Sequence, residues 1–330
     1  MRRIWRRFDG AKHAGSPGGG TPEVDPVEHA GTSTIELQYP VHPRPRFGER
    51  WGLPRHPELF AAVSADSRRH ADVIAMIAAY SDDLRRIPAH SDDDREPRWI
   101  NGWLPGLDTA MLYALLRDRN PRIYLEVGSG HSTRVARRAV EDGRLRTRIV
   151  SIDPEPRAVC DQLCDEVLRQ PLEDVDLAVF ERLGSSDVCF IDNSHCAYQN
   201  SDVAVSFLEV IPRLASGVLL GIHDIFLPDD YPLAWADRWY NEQYVLAAFL
   251  LGGGGRTSVE FPAWFVAGDA RHGQALEALW AAPEFAGVER HGNGFWLRVD
   301  RAVDPGDQDE VRQPAMTSSS REESAAREKT

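Results

Sequence analysis

The stretch Ile123 to Val140, IYLEVGSGHSTRVARRAV, constrains this chain more than any other. Its first four residues read as a short buried strand, Gly128 and Gly130 turn the chain, and Thr133 to Val140 reads as the start of a helix. Such a turn leaves free backbone N–H groups at a helix N-terminus. There the small glycines let a polar ligand come close, so the stretch reads as a nucleotide-type binding loop.

The loop lacks the third glycine of the dinucleotide fingerprint, because Thr133 takes its place, and no Lys follows to make a phosphate-binding loop. Pyrophosphate ligands are therefore the weaker reading. An acid stands before the glycines instead, giving Glu126-x-Gly128-x-Gly130. In this the stretch resembles the first motif of class I S-adenosylmethionine (SAM)-dependent methyltransferases. The resemblance implies that Glu126, Gly128, Gly130 and Ser132 bind the cofactor.

Length and charge limit the alternatives. The chain has 330 residues, 42% of them hydrophobic, which suits one large domain with flanking segments. A net charge of −13 argues against nucleic acid or an anionic membrane as the main partner. The lysines are Lys12 and Lys329, both in expected tails, which excludes a lysine base or Schiff base in the core. Cys160, Cys164, Cys189 and Cys196 show no C-x-x-C spacing, so free thiols in a reducing cytoplasm are expected. The basic start, Met1 to Arg7, is not followed by an apolar run, and no segment has the roughly 18 apolar residues of a membrane span. The expectation is a cytoplasmic protein without a membrane span, open to homo-oligomer formation.

In chain order, residues 1–45 read as a disordered leader and 46–98 as a helical cap, with helical spacing from Pro57 to Tyr80 and an acidic loop at Asp92 to Asp94. WINGWLPGL, Trp99 to Leu107, leads into a helix that Asp108 is placed to cap, with Leu107, Met111, Ala114 and Leu115 on one face. Trp99 and Trp103 are candidates for a cleft mouth, with core packing expected for at least one. After the glycine loop, Arg148 to Asp153 reads as a second strand and Pro156 to Leu168 as helical, with a third strand near residues 167–171 and Leu172 to Asp174 at its end. Ligands in open α/β sheets sit at the carboxyl ends of strands, so Asp153 is placed to accept from ribose hydroxyls. It is equally placed to cap a helix ahead of Pro154.

The next informative stretch is DVCFIDNSHCAYQNSD, Asp187 to Asp202. Val188 to Ile191 reads as a strand that delivers Asp192 and His195 to the sheet's edge. A hydroxyl accepting a methyl group must lose its proton, and a positioned His suits that work. Asp192 is placed to hold the His, the substrate or a metal. Val203 to Ile211 reads as a helix, and Gly217 to Ile222 as a fifth strand ending in His223-Asp224. Trp235 to Leu251 reads as one long helix with Trp239, Tyr240 and Tyr244 in the core. Glu260 to Ala267 and Gly294 to Val299 read as strands around a helix from Gly273 to Ala281. Residues 303–330 read as a disordered tail.

FIDNSHCAYQNSDVAVSFLEVIPRLASGVLLGIHDIFLPDDYP closely resembles a bacterial subgroup of class I methyltransferases, the methyltransferase-24 type. With the glycine loop, the resemblance covers roughly Trp99 to Val299. It implies a Rossmann-like fold over residues 99–302, with a seven-stranded, mostly parallel sheet of order 3-2-1-4-5-7-6. Related metal-dependent O-methyltransferases carry an Asp, a Lys three residues on, and an Asp-Asn pair at these strand ends. Here Asp192, His195 and Asp224 stand in three of those places, and Ile225 stands where the Asn would be. Asp192, His223 and Asp224 therefore either hold a divalent metal, with donors better suited to Mn²⁺, Fe²⁺ or Zn²⁺ than to Mg²⁺, or order the following loop.

The resulting expectation is transfer of the SAM methyl to a hydroxyl of a sugar, glycan or small-molecule acceptor. His195 acts as base with Asp192 beside it, and Glu126, Gly128, Gly130, Ser132, Asp153 and Asp192 hold the cofactor. A nicotinamide-dependent oxidoreductase and a non-catalytic SAM-binding partner are the alternatives.

Overall fold

Short apolar runs without alternation suit strands covered on both faces, and seven strands here pair into one sheet. In the computed structural model, which describes residues 37–156 and 160–300, these are β1 (Ile123–Val127), β2 (Arg148–Ile152), β3 (Glu166–Leu168), β4 (Val188–Ile191), β5 (Leu219–Ile222), β6 (Thr257–Pro262) and β7 (Phe295–Val299). The chain divides into two units, Met1–His42 and Pro43–Thr330, and every strand and helix among the described residues belongs to the second. The expected leader up to residue 36, the tail from residue 303, Lys12 and Lys329 lie outside the described residues.

The sheet order is β3-β2-β1-β4-β5-β7-β6, as the resemblance implies. The first five strands run parallel, and β7 lies antiparallel between β5 and β6. Every residue of β1, β4 and β5 is buried, while β3 at one edge is half-buried. Register then fixes the site. Val127 pairs with both Ile152 and Ile191, and Ile191 with Ile222. The next residue on each strand, Gly128, Asp153, Asp192 and His223, therefore stands in one row along the carboxyl edge. Backbone bonds from Gly128 N to Ile152 O, Asp192 N to Val127 O and His223 N to Ile191 O, each 2.9 Å, extend the ladder into that row.

Helices cover the faces. Preceding β1 are α1 (Pro57–Ser64), α2 (Ser67–Ala79), α3 (Ser81–Leu84) and α4 (Gly106–Arg119). After β1 come α5 (His131–Gly143), α6 (Ala178–Glu181), α7 (Asp202–Val205), α8 (Ile211–Arg213), α9 (Glu242–Leu251), α10 (Ala263–Gly268) and α11 (Gly273–Leu279). Packed against both α5 and α2, α4 is buried continuously from Gly106 to Leu116. It is a central helix rather than an amphipathic surface one. Among the described residues, no helix is long and apolar enough to cross a membrane.

Several local expectations change. The helical region Pro57 to Tyr80 is two helices, because Asp66 accepts from Arg69 N at 2.9 Å and starts α2 afresh. Asp108 does not cap α4, which opens after Pro105. It lies buried in the first turn instead. Within Pro156 to Leu168 the described residues hold a short 3-10 turn, Asp161–Leu163, and then β3, so the third strand comes earlier than expected. Pairing of Val167 with Ser151 decides this, since helix propensities differ by only a few tenths of a kcal/mol per residue. The helix expected over Val203 to Ile211 is α7 and α8 joined by a π-helical stretch, Ser206–Val210.

Trp235 to Leu251 is not one helix either. A 3-10 segment, Leu233–Arg238, ends at Trp239 in the left-handed region (φ 58), and α9 begins only at Glu242. Trp239 and Tyr244 are consequently exposed, at 45% and 47%, rather than in the core. Finally, the strand read from Glu260 ends at Pro262, and residues 263–268 form α10. Pro has no N–H to continue a ladder.

Candidate active site

The row at the carboxyl edge opens into a cleft of about 1030 Å³. Gly128 (φ +82) passes so close to β4 that a Cβ on it would stand 1.9 Å from the backbone oxygen of Asp192. Nothing lies within 4 Å of where a Cβ on Gly130 would be, so that glycine leaves a cradle open to the cleft. Ser129 donates to Asp153 Oδ2 through its backbone N (2.7 Å) and its hydroxyl (2.9 Å), and Glu155 N donates to Oδ1 at 2.8 Å. These three bonds leave the carboxylate with acceptor capacity to spare, and Asp153 lines the cleft.

Glu126 and Ser132 lie behind this loop and do not line the cleft. Glu126 is fully buried and accepts from Tyr124 Oη (3.1 Å), Ser132 Oγ (3.0 Å) and the Thr133 hydroxyl. Thr133 Oγ1 in turn accepts from Gly130 N at 2.9 Å, so the residue in the third-glycine position ties the loop to the acid. Burial pushes the Glu126 carboxyl up to about 7, against the three hydroxyls that favour its charge.

Beyond the loop, two histidines and four acids meet. His195 is 2% exposed and sits in the left-handed region (φ 58). Its Nδ1 is 2.8 Å from Glu242 Oε2, and its Nε2 is 3.4 Å from both Asp192 Oδ1 and Asp224 Oδ2. His223 places Nδ1 3.4 Å from Asp192 Oδ1 and from Asp224 Oδ1, and Nε2 3.3 Å from Asp108 Oδ2. Asp108 also accepts from Asn293 N (2.6 Å) and Gly294 N (2.9 Å), which fixes it beneath the site.

Charge follows from this packing. Burial opposes the imidazolium of His195, but Asp192 and Glu242 outweigh it and hold its pKa well above the usual value. The same contest at His223 is won by Asp192 and Asp224. Burial would raise the Asp192 carboxyl, yet the two histidines bring it well below its ordinary range. At Asp224 burial wins, and the pKa rises despite His223 and His195.

The ligand atoms of Asp192, His223 and Asp224 all lie within 4.8 Å of one another. With Nε2 directed at Asp108, His223 presents Nδ1 to the two carboxylates, the acid–histidine–cation arrangement of many metal sites. One nitrogen and two carboxylates fit a divalent transition metal. Of the residues singled out from sequence, Gly128, Gly130, Asp153, Asp192, His195, His223 and Asp224 share the cleft. Sequence reasoning missed Glu242, and it missed Asp108 as a site residue. Glu242 stands between Asn241 and Gln243 at the start of α9, a polar context that carries no local signal of a site residue.

Two further walls complete the cleft. Trp51, Phe226, Trp235, Tyr240 and Trp264 supply aromatic surface, and the Tyr240 ring lies 4.6 Å from that of His195. Trp103, 65% exposed, lines the opening, whereas Trp99 packs in the core against Trp280 and Phe285. Arg98, His131 and Arg134 line the cleft as well.

Residues 125–225 match the family profile of a methyltransferase domain, the methyltransferase-24 type. No curated protein matches the chain. Among solved structures it is similar to the S-adenosylhomocysteine (SAH)-bound methyltransferase PaMTH1 of Podospora anserina, at 17% identity over 63% of this chain and 92% of that one. Cofactor-bound Rv0187 from MTB is 16% identical over 75% and 96% of the two chains. The O-methyltransferase TomG of Streptomyces achromogenes, in complex with SAM, is 16% identical over 74% and 99%. Each has a TM-score of 0.35, too distant to bear on function. The matched segment runs from β1 to just beyond β5, through the glycine loop and both strand-end motifs, on a sheet with the strand order of that fold. Residues 125–225 accordingly match a methyltransferase domain of the methyltransferase-24 type, set on a sheet with the strand order of class I methyltransferases.

Proposed function

We propose that this enzyme methylates a hydroxyl oxygen on a sugar, glycan or small-molecule metabolite, with His195 as general base. The observation that carries the reading is the placement of His195 Nε2 at the rim beside Asp192, with Nδ1 held by Glu242 at 2.8 Å. An aromatic wall faces the same space, suited to the apolar face of a sugar or an aromatic ring.

SAM supplies an electrophilic methyl on its sulfonium. Asp153 accepts from the ribose hydroxyls, Gly128 lets the loop lie against β4, Gly130 leaves room for the chain that follows, and Leu172 lies in the wall where the base would rest. Glu126 and Ser132 act through the loop as positioning residues. In its neutral form His195 Nε2 would accept the hydroxyl proton as the oxygen attacks, with Glu242 holding the ring and its charge and Asp192 orienting the acceptor. Such a base contributes about 10²–10⁴-fold, and alignment of the two reacting atoms contributes more. A divalent cation held by Asp192, His223 Nδ1 and Asp224 would supply positive charge that acidifies a bound hydroxyl and, by offsetting the charge of the carboxylates, would favour the neutral form of His195. The methyltransferase-24 match over residues 125–225 favours this reading over the nicotinamide one.

The test is calorimetric titration with SAH, with and without Mn²⁺, followed by methyl-transfer assays on sugar and phenolic acceptors. Micromolar binding and turnover lost in His195→Ala are expected. Turnover unchanged in that variant would remove His195 from the mechanism.

A further inference from the structure

The loop that follows β5 carries two buried acids, Asp229 and Asp230, that the reaction as described does not use. Asp230 Oδ2 accepts from Arg46 N (2.6 Å) and Phe47 N (2.9 Å), Asp230 N donates to Phe47 O (3.1 Å), and Asp229 Oδ1 accepts from Glu49 N (3.2 Å). These bonds strap residues 46–52 to the β5 loop. The strap closes on itself, with Trp51 N and Leu53 N donating to Gly48 O, and the Trp51 indole folds back so far that a Cβ on Gly48 would clash with it. Trp51 Nε1 donates to Asp230 O at 3.0 Å. Its ring stacks on that of Trp264, 5.5 Å between centroids, and Trp264 Nε1 donates to Asp229 Oδ2 at 3.0 Å. The two acids thus set both indoles. Trp264 is buried, while Trp51 stays half-buried and lines the cleft.

Trp51 belongs to an aromatic cluster, with Phe226, Tyr231, Trp235, Tyr240 and Trp264, that stands apart from the main core. Polar groups of both kinds border it. Asn293, 4% exposed, has no partner for its Oδ1 among the described residues, and neither has Nδ1 of His291, whose ring lies 5.5 Å from that of Trp264. The Arg238 guanidinium lies 3.8 Å over the Trp235 ring, and Asp192 and Asp224 carry the opposite charge in the same cleft. A flat phenol offers an apolar face but few hydroxyls at its rim. A pyranose joins an apolar C–H face to several hydroxyls, each both donor and acceptor, which suit neighbours of both signs and buried polar atoms that are costly to leave unpaired. We infer that Trp51 is a specificity-determining residue of the acceptor subsite, held there by the strap, and that it stacks against a saturated, polyhydroxylated ring. The inference rests on the acceptor side of the reading above.

Saturation-transfer NMR and calorimetry test it, on the chain with and without SAH, with methyl pyranosides of hexoses, deoxyhexoses and hexuronic acids and with catechol as probes. At least one pyranoside is expected to bind, and more tightly than catechol. Trp51→Ala is expected to weaken that binding about tenfold and Trp51→Phe much less, each with SAH affinity within twofold of the parent. Asp230→Ala, which removes two backbone anchors of the strap, is expected to repeat the loss, and it reads the same contact should Trp51→Ala fold poorly. Unchanged pyranoside affinity in Trp51→Ala and Asp230→Ala would overturn the inference. So would tighter binding of catechol than of any pyranoside, or no pyranoside bound in either condition. Binding that depends on Trp51, to a pyranoside that receives no methyl group, would support the subsite while the proposed reaction falls.

Discussion

His195 Nδ1 lies 2.8 Å from Glu242 Oε2, across a separation of 47 residues, and Glu242 is fully buried. The contact exists because the chain breaks at Trp239: Asn241 N and Glu242 N both donate to His195 O, at 2.9 and 3.1 Å, which docks the start of α9 under the histidine. An acid held there fixes the tautomer and steadies the charge that the ring acquires as it takes a proton. Glu242→Gln is therefore expected to lower kcat by about 10²-fold with SAH affinity within twofold of the unaltered enzyme. Steady-state kinetics and calorimetry check both numbers. A kcat within threefold of the parent would show that Glu242 is only structural.

The mixed donor set of Asp192, His223 and Asp224 favours transition metals over Mg²⁺. In calorimetry, Mn²⁺ or Zn²⁺ is expected to bind more tightly than Mg²⁺, and Asp224→Asn to weaken that binding at least tenfold. Asp108→Asn, which alters the partner of His223 Nε2, should weaken it about 10-fold or more. Equal affinity in parent and Asp224→Asn would place the ion elsewhere.

The two glycines of the loop should respond differently to the same substitution. At Gly128 a methyl meets both a positive φ and the Asp192 carbonyl oxygen, whereas at Gly130 it meets open cleft. Gly128→Ala is expected to destabilise by about 1–3 kcal/mol from strain alone, seen as a lower Tm. Gly130→Ala should melt like the parent but bind SAH more weakly. A Tm for Gly128→Ala matching the parent would contradict the close approach.

Glu126 gives stability a pH dependence. Its folded-state pKa of about 7 lies above the ordinary 4.5. Stability from this group is complete below pH 4.5 and falls as pH rises through 7, because the unfolded chain releases the proton first. The loss approaches roughly 3 kcal/mol at about 1.4 kcal/mol per unit. Urea unfolding at pH 5 and pH 8 should show a smaller decrease for Glu126→Gln than for the parent. Parallel slopes would mean that Glu126 is ionised throughout.

What the sequence determined by itself was whatever local pattern controls. Buried strands are runs of apolar residues, so Val188–Ile191 was legible to the residue, and the acid or histidine after each strand could be read as standing at one edge. Glycine spacing marked the loop for a reason as local as a single φ angle. Only the tertiary structure decided matters that depend on partners far along the chain. Asp108 has the signature of a cap, yet burial beneath Asn293, Gly294 and His223 makes it part of the site. The apolar spacing from Trp235 to Leu251 fits a helix throughout, and the contacts of Asn241 and Glu242 with residues 195–197 break it. A backbone hydrogen bond or a buried ion pair between distant segments can outweigh the few tenths of a kcal/mol by which neighbouring residues prefer one conformation. Periodicity carries no record of such bonds. For that reason the row of site residues was visible in the sequence, while Glu242 and Asp108, the acids behind its histidines, were not.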